Sequence, residues 1–312
     1  MRIMFSVASA ALSLTILSPA IAADGTLDAA KLSAWGFAIK HIEPASPQTN
    51  AMALELLHAA ADRGDGEAMV QLGEMVLAGR APLDAGKDRT AEAIRWWELS
   101  WQHGATRGYH DIGLLHYNVP VPGTGQAGAH ALPVDYGTAF RYFKAAADRG
   151  DTKARRYVGI CYELGRGVPR DYARASSYYD KNSFYYANLL WDGHGVLRDP
   201  ARAIAIYTNV ASHEGGGDED MHAAEALARI YAQGLDAPAD PAKVVHYQKL
   251  AAHYGSATAR AALARHAAGL YRQATLLLSR GDYRLAFPMM LEAAALGDAE
   301  ALRITGSGST VR

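Results

Sequence analysis

The side chains best suited to chemistry lie in one short segment, 213–222, which reads HEGGGDEDMH. Carboxylates are calcium ligands and histidines are zinc ligands, so this composition could hold a metal ion. The spacing, however, matches no known ligand pattern, and three consecutive glycines leave the backbone flexible. We therefore interpret the segment as a solvated turn whose acids lie at the N-terminus of the next helix, where negative charge is favourable. No metal site is predicted.

Other motifs are weak evidence for catalysis. GRGV at 165–168 and GHGV at 193–196 look like phosphate loops, but they lack the following Lys-Ser/Thr and a preceding strand. His246 and His253 lie seven residues apart on one predicted helix, and we interpret them as surface or packing residues. HExxH, GxSxG and paired CxxC motifs are absent from the sequence. The sequence predicts no catalytic residue and no cofactor, so we expect a protein that is not an enzyme.

Composition limits the classes of partner. The 312-residue chain has a formal net charge of -1, which argues against binding to nucleic acid or to bulk membrane. Its one cysteine, Cys161, cannot form an intramolecular disulfide and is interpreted as a small hydrophobic core residue. The fold must therefore be held together by packing alone.

The N-terminus has the pattern of a secretory signal peptide. Arg2 precedes an apolar run, and Ala20-Ile21-Ala22 supplies small residues at a cleavage site. We expect cleavage after Ala22 and a periplasmic or secreted protein. No later stretch is long and apolar enough to span a bilayer, so membrane insertion is not expected.

Internal repeats organise the rest of the chain. AADRGDGEA at 60–68 returns as AADRGDTKA at 146–154, and GICYELGRGVPRDYARASSYY at 159–179 returns as ANLLWDGHGVLRDPARAIAIY at 187–207. Apolar residues recur three and four apart, which is the spacing of one helical face. Glycines then close the helix, and an Asp can cap the next one. The pattern predicts stacked helical hairpins, with large residues such as Trp96, Phe143 and Tyr178 filling the gaps.

These repeats resemble Sel1-like repeats, which are relatives of the tetratricopeptide family. The pattern A-x3-LG-x2-Y-x2-G-x-GV-x2-D-x3-A-x2-[WY] is clearest from Ala154 to Tyr178. The resemblance implies an all-α, right-handed α-solenoid of about six helix-turn-helix repeats that serves as a protein-binding scaffold. We expect a helical cap at 23–49, the repeats at 50–303 and a flexible tail at 304–312. The Pro- and Gly-rich insertion at 119–134 is interpreted as a mobile loop.

One repeat is shorter than the others. The family unit of about 36 residues is reduced to 28 between Gly165 and Gly193, so about eight residues are missing. Eight residues are close to two helical turns, and the apolar face stays in register if two adjacent helices each lose about one turn. DKNSF at 180–184 replaces the usual corner. We expect a shallow notch at one edge of the solenoid.

Aromatic residues crowd this shortened repeat. Six of the 14 residues from 178 to 191 are aromatic, where the chain average would give about one. By repeat position, Tyr178 and Tyr186 should be core, whereas Trp191 and Tyr185 should be at least partly exposed. The cluster either seals a shortened core or forms a binding surface, since Tyr and Trp are enriched in binding hot spots. The candidate partner-binding residues are Trp191, Tyr185, Phe184, Tyr179 and His194.

Two classes of function remain open at this stage. The first is an interaction scaffold in the cell envelope that binds another protein, either as an immunity or inhibitor protein or as a regulatory subunit. The alternative is a cell-wall-directed hydrolase or a carbohydrate-binding protein. The feature that would favour this alternative is a set of acids that converge in one pocket.

Overall fold

The computed structural model describes residues 27–42, 46–124, 132–213 and 217–306. These residues form fifteen α-helices and no strand, which confirms the all-α prediction. The predicted signal peptide at 1–22 lies outside the described residues. So do positions 125–131 of the insertion and 307–312 of the predicted tail.

The chain divides into two compact units between Tyr178 and Tyr179. In the first unit, each odd-numbered helix packs on the even-numbered helix that follows it. Its helices are α1 (Ala29–Lys40), α2 (Pro47–Asp62), α3 (Gly66–Leu77), α4 (Arg89–Gln102), α5 (Arg107–Tyr117), α6 (Tyr136–Asp148), α7 (Thr152–Leu164) and α8 (Tyr172–Tyr178).

The second unit repeats the same hairpin arrangement. Its helices are α9 (Phe184–Asp192), α10 (Pro200–Ala211), α11 (Asp218–Gln233), α12 (Pro241–His253), α13 (Ala257–Ser279), α14 (Tyr283–Ala295) and α15 (Ala299–Thr305). A small core of Ala274, Met290, Ala293, Ala294 and Ala301 joins the last three helices.

Aspartates start the helices as the repeat pattern predicts. The Asp135 carboxylate accepts a hydrogen bond from the Thr138 amide at 3.0 Å, and Asp171, Asp199 and Asp240 cap their helices in the same way. Each carboxylate satisfies one amide that has no partner inside the helix. The preceding helices α7 and α9 end at Gly165 and Gly193, whose φ angles of 70° and 74° are tolerated well by glycine.

Glycines also let the two helices of a hairpin approach closely. Gly113 on α5 faces Phe143 on α6, and a Cβ at Gly113 would lie 2.5 Å from the Phe143 ring. Gly73 on α3 faces Trp97 on α4 in the same manner. Trp97 is fully buried and donates a hydrogen bond to the Val70 carbonyl at 3.1 Å. The predicted gap filler Trp96 is only half-buried, because consecutive helical residues point about 100° apart.

The shortened repeat contains two short helices, as predicted. α8 has 7 residues and α9 has 9, whereas the preceding α6 and α7 each have 13. Each helix has therefore lost at least one turn of 3.6 residues. The notch inferred from this shortening stays a prediction.

Two further expectations concern single features. Cys161 is fully buried, which confirms its interpretation as a core residue. Within the described ranges, no helix combines the length and apolar character that a membrane crossing requires.

Candidate functional site

The candidate binding residues lie on and around α9. Three of them come together where the helix begins: Tyr185 stacks on Tyr179 at 5.3 Å between ring centroids and meets Phe184 at 5.7 Å. Phe184 also contacts Tyr207 at 5.8 Å. Tyr179 is only 3% exposed, because its ring is covered within this cluster. This corrects the expectation that Tyr179 presents its ring to a partner.

Trp191 lies two helical turns beyond Phe184 and has a different set of neighbours. It is half-buried, as is Tyr185, so the predicted partial exposure of both residues is confirmed. The Arg198 guanidinium lies 5.9 Å from the Trp191 ring centroid, and its Nε donates to the Trp191 carbonyl at 3.0 Å. The cation covers part of one ring face and leaves the side chain partly open to solvent.

Arg198 is itself held by a two-pronged ion pair. Its Nη2 and Nη1 donate to the two Asp236 carboxylate oxygens at 2.6 Å and 3.2 Å. This hydrogen-bonded pairing lowers the pKa of Asp236. The pair links the turn after α9 to the turn after α11, so Trp191 is supported by two successive repeats. The exposed His194 belongs to the first of these turns, with its Nδ1 4.0 Å from the Asp192 carboxylate.

The two tyrosines that were predicted to be core differ in their burial. Tyr186 is 7% exposed, as predicted, and the ammonium of Lys181 lies 4.1 Å from its ring centroid. Tyr178 is half-buried, so the prediction for it is wrong. The reason is that α8 ends at Tyr178, whose ring covers Tyr162 at 5.8 Å instead of entering the core.

A hydrogen bond supports the face of α9 that carries Phe184 and Trp191. Asn188 lies four residues after Phe184 and three before Trp191, so the three share one helical face. The Tyr207 hydroxyl donates to Asn188 Oδ1 at 2.7 Å. Burial raises the pKa of Tyr207, which keeps this donor protonated. The hydrogen bond fixes this face of α9 against α10.

A buried ion network in the first unit was not predicted from the sequence. The Lys40 ammonium on α1 donates to Gln71 and pairs with Glu74, both on α3. Arg107 on α5 pairs with the same Glu74 and with Glu67, the latter at 3.0 Å. Lys40, Gln71 and Glu74 are all buried, so a charged chain links three odd-numbered helices.

The network extends to a buried pair on α5. His110 Nδ1 lies 3.0 Å from Asp111 Oδ1, and Arg107 Nε lies 3.9 Å from Asp111 Oδ2. Burial lowers the pKa of Lys40 to about 8, and the nearby positive charges of Arg107 and Arg80 act in the same direction. The sequence offered one signal: Glu67 and Glu74 are seven residues apart, which places both on one face of α3.

The segment considered first as a metal site begins α11. Asp218, Glu219 and Asp220 form its first turn, and Asp220 accepts from the Gly217 amide at 2.8 Å. His222 Nδ1 lies 3.3 Å from Glu225. The acids therefore lie at a helix N-terminus, as the sequence predicted, and positions 214–216 lie outside the described residues.

Comparison with protein families gives a match over most of the chain. A sequence model of the Sel1 repeat matches seven stretches, where about six repeats were expected: 47–65, 66–103, 125–151, 152–181, 183–209, 222–254 and 260–298.

Curated relatives match only a short part of this chain. DAP3-binding cell death enhancer 1 of Rattus norvegicus and of Mus musculus is in each case 58% identical over 41 residues, which is 13% of this chain and 8% of theirs. The chain therefore matches less than a tenth of the length of these relatives.

Two solved structures share the fold. One is c5321, a protective antigen present in uropathogenic Escherichia coli strains that displays an SLR fold, with a TM-score of 0.58 and 20% identity over 90% of this chain and 64% of the other. The second is a Sel1 repeat protein from Oxalobacter formigenes, with a TM-score of 0.58 and 23% identity over 77% of this chain and 92% of the other.

Proposed function

Because the chain belongs to the Sel1 repeat family, we propose that it is a periplasmic or secreted scaffold that binds another protein through α9. Sel1 repeats indicate a protein-protein interaction scaffold, and such repeats serve mainly to present a surface. Beyond the family assignment, we propose a cellular location, a binding surface and a role for the partner.

The choice of α9 as the binding surface rests on Trp191. It is half-buried on α9, and Arg198 and Asp236 hold its surroundings in place. A large aromatic side chain that is already ordered loses little conformational freedom when a partner covers it. Tyr185 and Phe184 provide neighbouring aromatic surface on the same helix.

Two roles in the cell envelope are consistent with such a scaffold. In one, the protein is an immunity or inhibitor protein whose partner is a toxin or enzyme that it blocks. In the other, it is a regulatory subunit of an envelope sensor or assembly machine. Both roles require a stable complex with one partner protein, so in both the aromatic residues of α9 must contact that partner.

The location depends on the N-terminal segment. Arg2, the apolar run after it and Ala20-Ile21-Ala22 support export and cleavage after Ala22. N-terminal sequencing of the protein from fractionated cells should find Ala23 as the first residue. Recovery of the protein with Met1 in place would contradict export.

Affinity capture tests the binding function. The mature wild-type protein, Trp191→Ala and a matched Trp35→Ala variant are immobilised separately. Each is exposed to solubilised envelope, and the proteins that it captures are identified by mass spectrometry. Trp35 is 40% exposed on α1, so its loss removes the same side chain elsewhere. A protein should be enriched by the wild type and Trp35→Ala and lost with Trp191→Ala. Retention by all three proteins would contradict the choice of surface.

A separate experiment tests the alternative function, which is binding to a cell-wall ligand. Sedimentation of the protein with purified peptidoglycan should leave it in the supernatant. Co-sedimentation that Trp191→Ala abolishes would favour a carbohydrate-binding protein instead.

A further inference from the structure

Charge is unevenly distributed along the second unit. From Pro241 to Gly281 the sequence contains six Lys or Arg residues and three histidines but no Asp or Glu. This segment comprises α12 and α13. In a chain whose formal net charge is -1, a stretch of this kind is a local basic patch.

A groove lies between α11, α12 and α13, and Arg265 is the one basic residue of this stretch that lines it. Its volume is about 420 Å³. Alanines on all three helices form its floor, including the buried Ala228, Ala251 and Ala259. Because these side chains are small, the groove can admit a chain segment close to the helix backbones. Arg229 of α11 and Arg265 of α13 also line it.

Apart from the charge of Arg229 acting on Tyr207, the two arginines have no partner in the described part of the chain. Arg229 and Arg265 are exposed, and neither forms a hydrogen bond or ion pair with another described residue. Two guanidinium groups that line one groove make the local potential positive, which attracts an anion. Guanidinium groups match the geometry of carboxylates, to which they donate two parallel hydrogen bonds.

The one acid in the groove already has its partners. Glu225 accepts hydrogen bonds from the hydroxyls of Ser256 at 2.5 Å and Thr258 at 2.8 Å. Its carboxylate is therefore committed to holding the start of α13. Beyond Arg265, the groove side of α13 remains open, since a Cβ at Gly269 would meet nothing within 4 Å.

We propose that this groove binds an acidic segment of a partner protein, with its carboxylates placed between Arg229 and Arg265. The proposal rests on the proposed function as a protein-binding scaffold and names the chemistry of a second contact surface. The segment lies along the alanine floor, and the arginines select its charge.

The surroundings favour a short acidic peptide over other anions. None of the side chains that line the groove is aromatic, so bases of a single-stranded nucleic acid would find no stacking surface there. Asp218, Glu219 and Asp220 begin the same helix that carries Arg229. They would repel a long polyanion or an anionic membrane, whereas a short segment avoids them.

Fluorescence polarisation with a labelled peptide of repeating Glu-Ala-Ala units tests the proposal directly. The full mature protein is compared with Arg229→Gln/Arg265→Gln and with Arg280→Gln/Arg284→Gln, which removes the same charge outside the groove. The peptide should bind the wild type and the second variant equally and should bind the groove variant about tenfold or more weakly. Binding should also weaken as salt is raised, and a Gln-Ala-Ala peptide should not bind.

Other results would overturn the proposal. Equal binding to all three proteins would show attraction to net charge alone and would overturn the groove assignment, as would no binding at low salt. Tighter binding of an oligothymidylate or of phosphatidylglycerol vesicles through the two arginines would overturn the ligand class. The Trp191→Ala variant should bind the peptide as the wild type does, so failure of the groove and failure of the α9 surface are distinguishable. Thermal melts confirm that each variant is folded.

Discussion

Replacement of Gly113 by Ala tests how closely the two helices of a hairpin pack. Gly113 lies on α5 against Phe143 of α6, and the added Cβ would lie 2.5 Å from Cε1 and 2.6 Å from Cδ1 of that ring. Non-bonded carbon atoms prefer about 3.5–4.0 Å, so the overlap is about 1 Å. Either the ring or the helix must move.

The ring has little room to move. Phe143 is fully buried and stacks on Tyr157 at 4.7 Å between centroids, with Tyr117 at 6.0 Å on another side. Overpacking of this kind typically costs about 1–3 kcal/mol. Ala is better than Gly inside a helix by about 1 kcal/mol, which opposes this cost. We expect Gly113→Ala to lower the free energy of unfolding by up to about 2 kcal/mol.

Gly269→Ala is the matched control. Gly269 lies inside α13, and its added Cβ would meet nothing within 4 Å. Only the helix-propensity gain of about 1 kcal/mol should remain. Urea unfolding followed by circular dichroism should therefore move the two midpoints in opposite directions. If both substitutions stabilise the protein, close helix contact at Gly113 is not a feature of the fold.

Three further predictions concern other parts of the chain. Burial raises the pKa of the Cys161 thiol to about 12, so Ellman's reagent at pH 8 should label Cys161 only after denaturation, and rapid labelling of the native protein would contradict its burial. Burial lowers the pKa of Lys40 from 10.5 to about 8, so the unfolded chain binds more protons between these values and the contribution of Lys40 to stability rises with pH. The difference in unfolding free energy between wild type and Lys40→Met should increase from pH 8 to pH 10.5, whereas a constant difference would contradict the lowered pKa. Deletion of 282–312 removes α14 and α15 and uncovers the core around Ala274, so the melting temperature should fall and aggregation should increase; an unchanged melting temperature would show that these helices stabilise nothing.

The repeat pattern predicted what depends on local chemistry. Aspartate caps such as Asp199, the turn at Gly193 and the shortening of α8 and α9 follow from spacing and residue type. These features need only neighbours within one helix or one turn, which a single sequence contains.

Features that depend on contacts between helices were harder to predict. Trp96 and Trp97 are adjacent, and it is Trp97 that packs against Gly73 and is buried. Lys40, Glu74 and Arg107 lie on three separate helices and more than 30 residues apart, so nothing local indicates that they meet. Tyr179 is buried because Tyr185 of the next helix covers it.

The most direct test of binding through α9 is a titration of the captured partner. Purified partner is titrated calorimetrically against the wild type, Trp191→Ala and Trp35→Ala. A partly exposed aromatic anchor contributes roughly 2 kcal/mol or more to binding, which corresponds to about a thirtyfold change in Kd. We predict that Trp191→Ala raises Kd about thirtyfold or more with little change in melting temperature, and that Trp35→Ala binds as the wild type does. An unchanged Kd for Trp191→Ala, or a melting temperature that falls as far as that of Tyr186→Ala, would show that the α9 aromatics only fill the core.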